Sequence, residues 1–291
     1  RRDAEMNLFT ESFVAAPDGL QLYVRDYAGG DAGKTPVLCL AGLTRNTRDF
    51  EDIAAHIAAG RRVIAADMRG RGRSAYDPKW ENYSIPVEAG DVLAILAALR
   101  VPKVIVLGTS RGGLLATVLA AMKPDVLGGV VLNDVGPEID PKGIARIASY
   151  VGVAVAPPQT WEEAMARAKE INGSLFDMPD SEWMRMTRAT YREEGGRPVL
   201  DYDMKIGDAT RAQMAQPQQF DPWMLFAAFA KIPLLTVRGA NSDLLSAATV
   251  AKMQAAKPDM KSVDVPGRGH APLLNEPEAV AAIDAFLADL G

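Results

Sequence analysis

From Val104 to Leu115 the chain reads Val104-Ile105-Val106-Leu107-Gly108-Thr109-Ser110-Arg111-Gly112-Gly113-Leu114-Leu115. An apolar β-branched run passes through Gly-x-Ser-x-Gly straight into an Ala/Leu-rich stretch, and few local patterns restrict a fold so tightly. A strand must reverse into a helix within a few residues, which holds the central residue, Ser110, in a strained conformation. Side chains two before and two after it would collide, so glycine is needed at both places, and Gly108 and Gly112 supply it. The serine then sits at the C-terminal edge of a strand, near the positive end of a helix. Its hydroxyl projects into a cleft and can attack a carbonyl. A phosphate-binding turn is the rival reading, but the Lys after glycine of a P-loop and the glycine spacing of a dinucleotide loop are both missing.

The surroundings suit such a reversal. Short apolar runs at Pro36–Leu40, Arg62–Ala66, Val104–Leu107, Val130–Leu132, Pro233–Val237 and Ser262–Val265 have the texture of strands buried on both faces. Helical patterns at Phe50–Ala59, Val87–Leu99, Leu114–Met122, Ala247–Ala256 and Glu276–Leu290 alternate with them. Strand, helix, strand, helix predicts an α/β fold with a mostly parallel sheet flanked by helices. Ahead of it, Thr10–Ala15 and Leu20–Tyr27 flank Pro17-Asp18-Gly19 and predict a hairpin. Residues 137–221 break the alternation: no convincing strand run occurs there. Trp161, Trp183 and several methionines lie among helical patterns punctuated by Pro157-Pro158, Gly195-Gly196 and Pro217. This segment reads as a helical cap inserted between two sheet strands, with residues 1–136 and 222–291 forming the core.

Composition narrows the function classes. With 48% hydrophobic and 24% charged residues, the 291-residue chain can bury a substantial core. A net charge of -5 without long runs of like charge argues against nucleic acid as a partner. The single cysteine, Cys39, forbids an internal disulfide and reads as a small buried hydrophobe. No apolar stretch approaches the ~20 residues of a membrane span, and no apolar run follows Arg1-Arg2-Asp3, so no secretory signal is expected and the cytoplasm is the default.

A serine nucleophile needs a base, and the chain has two histidines. His56 falls inside a helical pattern and reads as a surface histidine. His270 lies in the turn-rich Pro266-Gly267-Arg268-Gly269-His270-Ala271-Pro272, after the last strand, where it can reach a neighbouring strand's edge. A carboxylate must then hold the imidazole. Asp243, just after the strand preceding the final βαβ unit, fits best in the order Ser…Asp…His. Asp134, after Val130–Leu132, is the rival, and Asp264, inside a strand pattern, fits less well. Two backbone N–H groups should receive the oxyanion, from Arg111 and from the loop Ala41-Gly42-Leu43-Thr44, with Leu43 the expected donor.

These residues resemble the α/β-hydrolase superfamily over nearly the whole chain. Gly108–Gly112 looks like its nucleophile elbow. Asp67-Met68-Arg69-Gly70-Arg71-Gly72-Arg73-Ser74 looks like its Asp-x-Arg-Gly-x-Gly-x-Ser loop, which in isolation would also suggest RNA binding. Gly269-His270-Ala271-Pro272 with Asn275-Glu276-Pro277 is similar to its histidine loop. The resemblance implies an eight-stranded sheet with a helical cap after strand 6, and no metal or organic cofactor. Serine at the elbow separates the chain from dehalogenases and epoxide hydrolases, which carry aspartate there. Ala41-Gly42 departs from the His-Gly of many relatives, a departure the backbone donor tolerates.

The chain looks most like small bacterial carboxylesterases, enol-lactonases and carbon–carbon bond hydrolases. The expected partner is therefore a small ester or lactone substrate, with no nucleic acid or membrane, and homo-oligomerisation is left open. A carbon–carbon or lactone hydrolase with the same residues is the alternative, and a ligand-binding homologue without turnover a third reading. Arg45, Arg111 and Trp183 are expected substrate contacts.

Overall fold

The computed structural model describes residues 8–216 and 220–291, so Pro217 and the first seven residues, including Arg1-Arg2-Asp3, lie outside the described part. The chain opens with β1 (Thr10–Ala15), β2 (Gln21–Tyr27) and β3 (Val37–Leu40), then α1 (Glu51–Ala58) and β4 (Val63–Ala66). Next come α2 (Ile85–Ala98), β5 (Val104–Thr109), α3 (Arg111–Met122) and β6 (Leu127–Asn133). An insertion then carries α4 (Pro141–Tyr150), α5 (Trp161–Asn172), α6 (Asp180–Thr190), β7 (Tyr191–Glu194), β8 (Arg197–Leu200) and α7 (Ile206–Ala215). The chain returns through α8 (Pro222–Phe226) to β9 (Leu234–Gly239), α9 (Ala247–Ala256), β10 (Lys261–Val265) and α10 (Pro277–Ala288).

Eight strands form one sheet in the order β1-β2-β4-β3-β5-β6-β9-β10. Only β2 runs against the rest, pairing antiparallel with both β1 and β4. The expected hairpin and parallel sheet are therefore both present. Alternation along each strand divides the core into two layers. Leu38, Leu40, Val104, Val106 and Leu132 pack on one face with residues of α2 and α3. Val37, Cys39, Ile105 and Leu107 pack on the other with residues of α1 and α10. Cys39 is fully buried there, and burial pushes its thiol far above the usual range, as suits an inert core side chain. No described helix is long and apolar enough to cross a membrane.

The insertion differs from expectation in one respect: β7 and β8 form an antiparallel hairpin. Its sequence, Tyr191-Arg192-Glu193-Glu194 facing Arg197-Pro198-Val199-Leu200, lacks the apolar alternation of a half-buried strand. Gly195 and Gly196, with φ of +58° and +78°, supply the two positive dihedrals of a tight hairpin turn. The turn chemistry was thus the visible signal, and the polar strands hid it. A small third cluster joins insertion to core: Val151, Tyr202, Ile206 and Ala209 pack with Tyr83, and Leu43 lies against them.

Candidate active site

Steric necessity holds the elbow in place. Ser110 has φ +52° and ψ -113°, a conformation a non-glycine residue adopts only when its neighbours enforce it. A Cβ on Gly108 would come within 2.5 Å of the Gly112 backbone, which is the collision expected across the turn. A Cβ on Gly112 would instead overlap the carbonyl of Leu40 on the adjacent strand β3. The second glycine therefore answers to the sheet rather than to the turn alone. Ser110 N–H donates to Asn133 C=O at 2.9 Å, tying the elbow to the end of β6.

His270 comes after β10 and reaches back across the sheet edge. Its Nε2 lies 2.9 Å from Ser110 Oγ, and its Nδ1 lies 2.8 Å from Asp134 Oδ2. A carboxylate can only accept, so Nδ1–H donates to Asp134 and Nε2 is left to accept the serine proton. The histidine loop is pinned at several points. Buried Glu276 accepts from Arg268 Nε at 2.9 Å and from Leu273 N–H at 2.8 Å, while Arg268 also reaches Glu182 on α6. Asn133 donates from Nδ2 to Thr109 Oγ1 and to Pro272 C=O, each at 3.0 Å, and so fastens the histidine loop to the elbow. Sequence reading missed Asn133; its place at the end of a strand beside the elbow was the only signal.

The carboxylate is a correction. Asp243 was expected to hold the imidazole, and among the described residues no hydrogen bond joins it to His270. Asp243 instead accepts a fork from Arg146 on α4, at 2.6 Å from Nε and 2.8 Å from Nη2. Burial pushes the Asp243 carboxyl upward, but the guanidinium outweighs it and holds the group below the usual carboxylate range. The rival, Asp134, makes that hydrogen bond instead. It is fully buried and has φ +59°, a left-handed conformation that aspartate tolerates better than most residues. Its Oδ1 accepts from Gly239 N–H at 2.8 Å, and its Oδ2 accepts from Ser242 Oγ at 2.6 Å besides His270. Asp264 points elsewhere, paired with Arg238 at 2.9 Å. His56 is a surface residue 2.9 Å from Asp284.

A cavity of about 1370 Å³ opens above Ser110, walled below by Gly42, Leu43 and His270 and above by residues of the insertion such as Tyr150, Met184 and Leu200. The N–H groups of Leu43 and Arg111 make no hydrogen bond among the described residues, consistent with donors kept free for a ligand oxygen. The expected substrate contacts divide. Arg45 lines the cavity, but its guanidinium is held by Asp49, with Nε at 2.8 Å, and by Thr190. Arg111 turns inward to buried Glu88, with Nε at 2.8 Å, and does not line the cavity. Trp183 is also absent from the wall; it is buried within the insertion, edge-on to Phe176 at 5.9 Å. Both were expected at the substrate because an elbow position and an aromatic cap residue commonly face the cleft, and internal partners claimed them here.

Two of the three arginines of the arginine-glycine loop are likewise internal, while Arg73 is exposed beside Glu11. Arg69 and Arg71 are almost wholly buried, Arg69 on Asp77 and Asp91 and Arg71 on Glu88, so neither presents a charge to a nucleic acid. Among the described residues no group of three or more His, Cys, Asp or Glu side chains is arranged to hold a metal ion.

A family model described as alpha/beta hydrolase fold matches residues 35–277. The protein named 3-hydroxybutyrate-oligomer hydrolase from Cupriavidus necator is 33% identical over 277 residues, covering 93% of this chain and 94% of its own. The 2-(acetamidomethylene)succinate hydrolase of Mesorhizobium japonicum is 29% identical over 253 residues, 86% of this chain and 85% of its own. A crystal structure of an alpha/beta hydrolase from Novosphingobium aromaticivorans superposes with a TM-score of 0.92 at 42% identity, over 98% of this chain and all of that one.

Proposed function

Because this chain belongs to the α/β-hydrolase fold family, we propose that it is a hydrolase acting on carboxylic ester bonds through an acyl-enzyme on Ser110. The observation that carries this reading is the hydrogen-bonded line from Ser110 Oγ through His270 to Asp134 at the floor of the cavity. His270 Nε2 takes the proton of Ser110 as Oγ bonds to the acyl carbon, and the carbonyl oxygen becomes an oxyanion facing the N–H groups of Leu43 and Arg111. The tetrahedral adduct collapses, the ester C–O bond breaks, and the departing alkoxide takes the proton from His270. Water then repeats the sequence on the acyl-enzyme, releasing the acid and restoring the serine. Asp134 keeps the imidazole in the tautomer that lets Nε2 act as base.

Size and kinship support the substrate class. A cavity of about 1370 Å³ exceeds the roughly 300–1,000 Å³ of ordinary small-molecule sites. It suits an elongated ester better than a short one. A relative at 33% identity over nearly its full length is named for hydrolysis of 3-hydroxybutyrate oligomers. Short linear oligoesters of hydroxy acids are therefore the proposed substrates, with residues 137–221 acting as the cap that encloses them. An intact relay disfavours a ligand-binding homologue without turnover.

The same relay serves lactones and carbon–carbon bonds, so the test is a panel of p-nitrophenyl esters, hydroxybutyrate dimers and trimers, lactones and ring-cleavage diketones. Turnover of esters and oligoesters, lost in Ser110→Ala, is expected. Diketone cleavage without ester turnover would replace the ester assignment. A folded wild-type protein that a fluorophosphonate does not label at Ser110 would remove the nucleophile.

A further inference from the structure

The two N–H groups assigned to the oxyanion come from distant parts of the chain, Leu43 after β3 and Arg111 at the start of α3. Their geometry must be fixed to a few tenths of an ångström for the charge to be received well. Both residues are tied to one buried carboxylate, Arg111 directly and Leu43 through Arg71. Glu88 on α2 is fully buried. Its Oε2 accepts from Arg111 Nε at 2.8 Å, and its Oε1 accepts from Arg111 Nη2 at 3.1 Å and from Arg71 Nη1 at 2.7 Å. Arg71 in turn donates from Nε to the Leu43 carbonyl at 2.8 Å. An unbroken line of hydrogen bonds thus runs Leu43–Arg71–Glu88–Arg111.

The charges on that line do not cancel. Two guanidiniums face one carboxylate, and Arg71 Nη2 is buried without a hydrogen-bond partner among the described residues. Its guanidinium carbon lies 5.6 Å from the centre of the Tyr83 ring, which offers a partial cation–π partner. A buried, incompletely neutralised cation is costly in the resting protein. It becomes favourable when negative charge develops nearby. The neighbouring cluster of Arg69 with Asp18, Asp77 and Asp91 is different: three carboxylates surround one guanidinium, and its one link to the line is the Arg69 carbonyl, which accepts from Arg71 Nη1 at 2.7 Å.

We propose that Glu88 and Arg71 form a positioning clamp for the oxyanion hole, fixing both donor residues from behind and leaving net positive charge beside the site where the oxyanion forms. The inference rests on the reading of Ser110 as nucleophile with Leu43 and Arg111 as donors. Glu88 and Arg71 do not touch the substrate in this scheme; they act through the two donor residues.

The test compares Glu88→Gln and Arg71→Lys with Asp91→Asn, a disruption of the adjacent ion cluster. Glu88→Gln leaves two buried guanidiniums against a neutral amide and risks misfolding. Arg71→Lys keeps the charge but cannot reach Glu88 and the Leu43 carbonyl together, so it preserves the test. Three readouts are taken on folded protein: Ser110 labelling by a fluorophosphonate, kcat and KM on p-nitrophenyl butyrate, and Ki for a trifluoromethyl ketone that adds to the serine as a tetrahedral oxyanion. The clamp variants should lose about 10- to 100-fold in kcat with KM within threefold, against the ~10²–10³ of removing a donor outright. Their Ki should weaken by the same factor as kcat falls. Asp91→Asn should lower thermal stability with kcat and Ki within threefold of wild type. Labelled clamp variants with unchanged kcat and Ki overturn the clamp alone, as does an Asp91→Asn protein that loses both in equal measure. A wild-type protein that is not labelled and does not cleave esters overturns the hydrolase reading and the clamp with it.

Discussion

Replacing Asp134 by Asn changes one atom, and the surrounding hydrogen bonds dictate how the site must respond. Gly239 N–H points at Oδ1 from 2.8 Å, so the carboxamide must place its oxygen there, since two donors cannot face each other in a buried site. The NH₂ then falls at Oδ2, 2.8 Å from His270 Nδ1 and 2.6 Å from Ser242 Oγ. Ser242 Oγ already accepts from Leu244 N–H at 3.1 Å and Leu245 N–H at 3.0 Å, so its hydroxyl loses its acceptor and must turn away. His270 can satisfy the new donor only by accepting at Nδ1, which moves its proton to Nε2, 2.9 Å from Ser110 Oγ. The imidazole then presents a proton where a base is needed. Loss of the correct tautomer should lower kcat about 10⁴-fold, or roughly 5.5 kcal/mol of transition-state stabilisation. The fold should survive with a modest loss of stability, about 1–3 kcal/mol, because the Ser242 hydroxyl loses its acceptor. Asp243→Asn is the matched control: it loosens the fork to Arg146 and should reduce kcat by less than tenfold. Steady-state kinetics on a p-nitrophenyl ester, with thermal melts to establish folding, measures both. If Asp243→Asn suffers the larger loss, or Asp134→Asn keeps more than a tenth of wild-type kcat, the assignment of the acid is wrong.

The Asp243 carboxyl is held below its ordinary value of 3.8 by Arg146, against the opposing effect of burial. A depressed folded-state pKa contributes stability that is present above the ordinary value and lost as pH falls through the lower one. Melts of wild type and Asp243→Asn should therefore converge as pH drops below about 3.8; a gap that widens in acid would contradict the ion pair. Gly112→Ala forces a methyl group onto the Leu40 carbonyl and should destabilise by about 3 kcal/mol or more in urea unfolding. Gly90→Ala in α2 meets nothing within 4 Å and should be neutral or stabilising by up to ~1 kcal/mol; equal losses in the two would refute the steric account of the elbow. Trp183→Phe alters packing within the insertion rather than the cavity wall, so thermal stability should fall while KM for p-nitrophenyl butyrate stays within twofold. A large rise in KM would return Trp183 to the substrate.

How far the residues alone reveal the molecule depends on how local each constraint is. The elbow was legible because its glycines answer to atoms a few residues or one strand away, and the sheet because strands buried on both faces leave unbroken apolar runs. His270 was legible by scarcity: the chain holds two histidines, and the other lies in a helical pattern. The hairpin β7–β8 was hidden because its strands are polar and its turn glycines also fit a loop.

Sequence reasoning preferred Asp243 to Asp134, and the reason it chose the other carboxylate lies in three dimensions. Asp134 follows β6, beside the Ser110 strand β5, and Asp243 follows β9, the next strand out; Arg146, a residue of the insertion, takes Asp243 and leaves Asp134 to the imidazole. The same logic moved Arg111 from the substrate to Glu88. For each of these charged groups, function is decided by whichever opposite charge reaches it first in three dimensions. Spacing along the chain therefore narrows the candidates to a strand end but cannot choose among them. The corollary is directional: an acid fully buried with spare acceptor capacity, as at Asp134, can orient a histidine, whereas one already forked by an arginine, as at Asp243, contributes mainly to holding the insertion against the core.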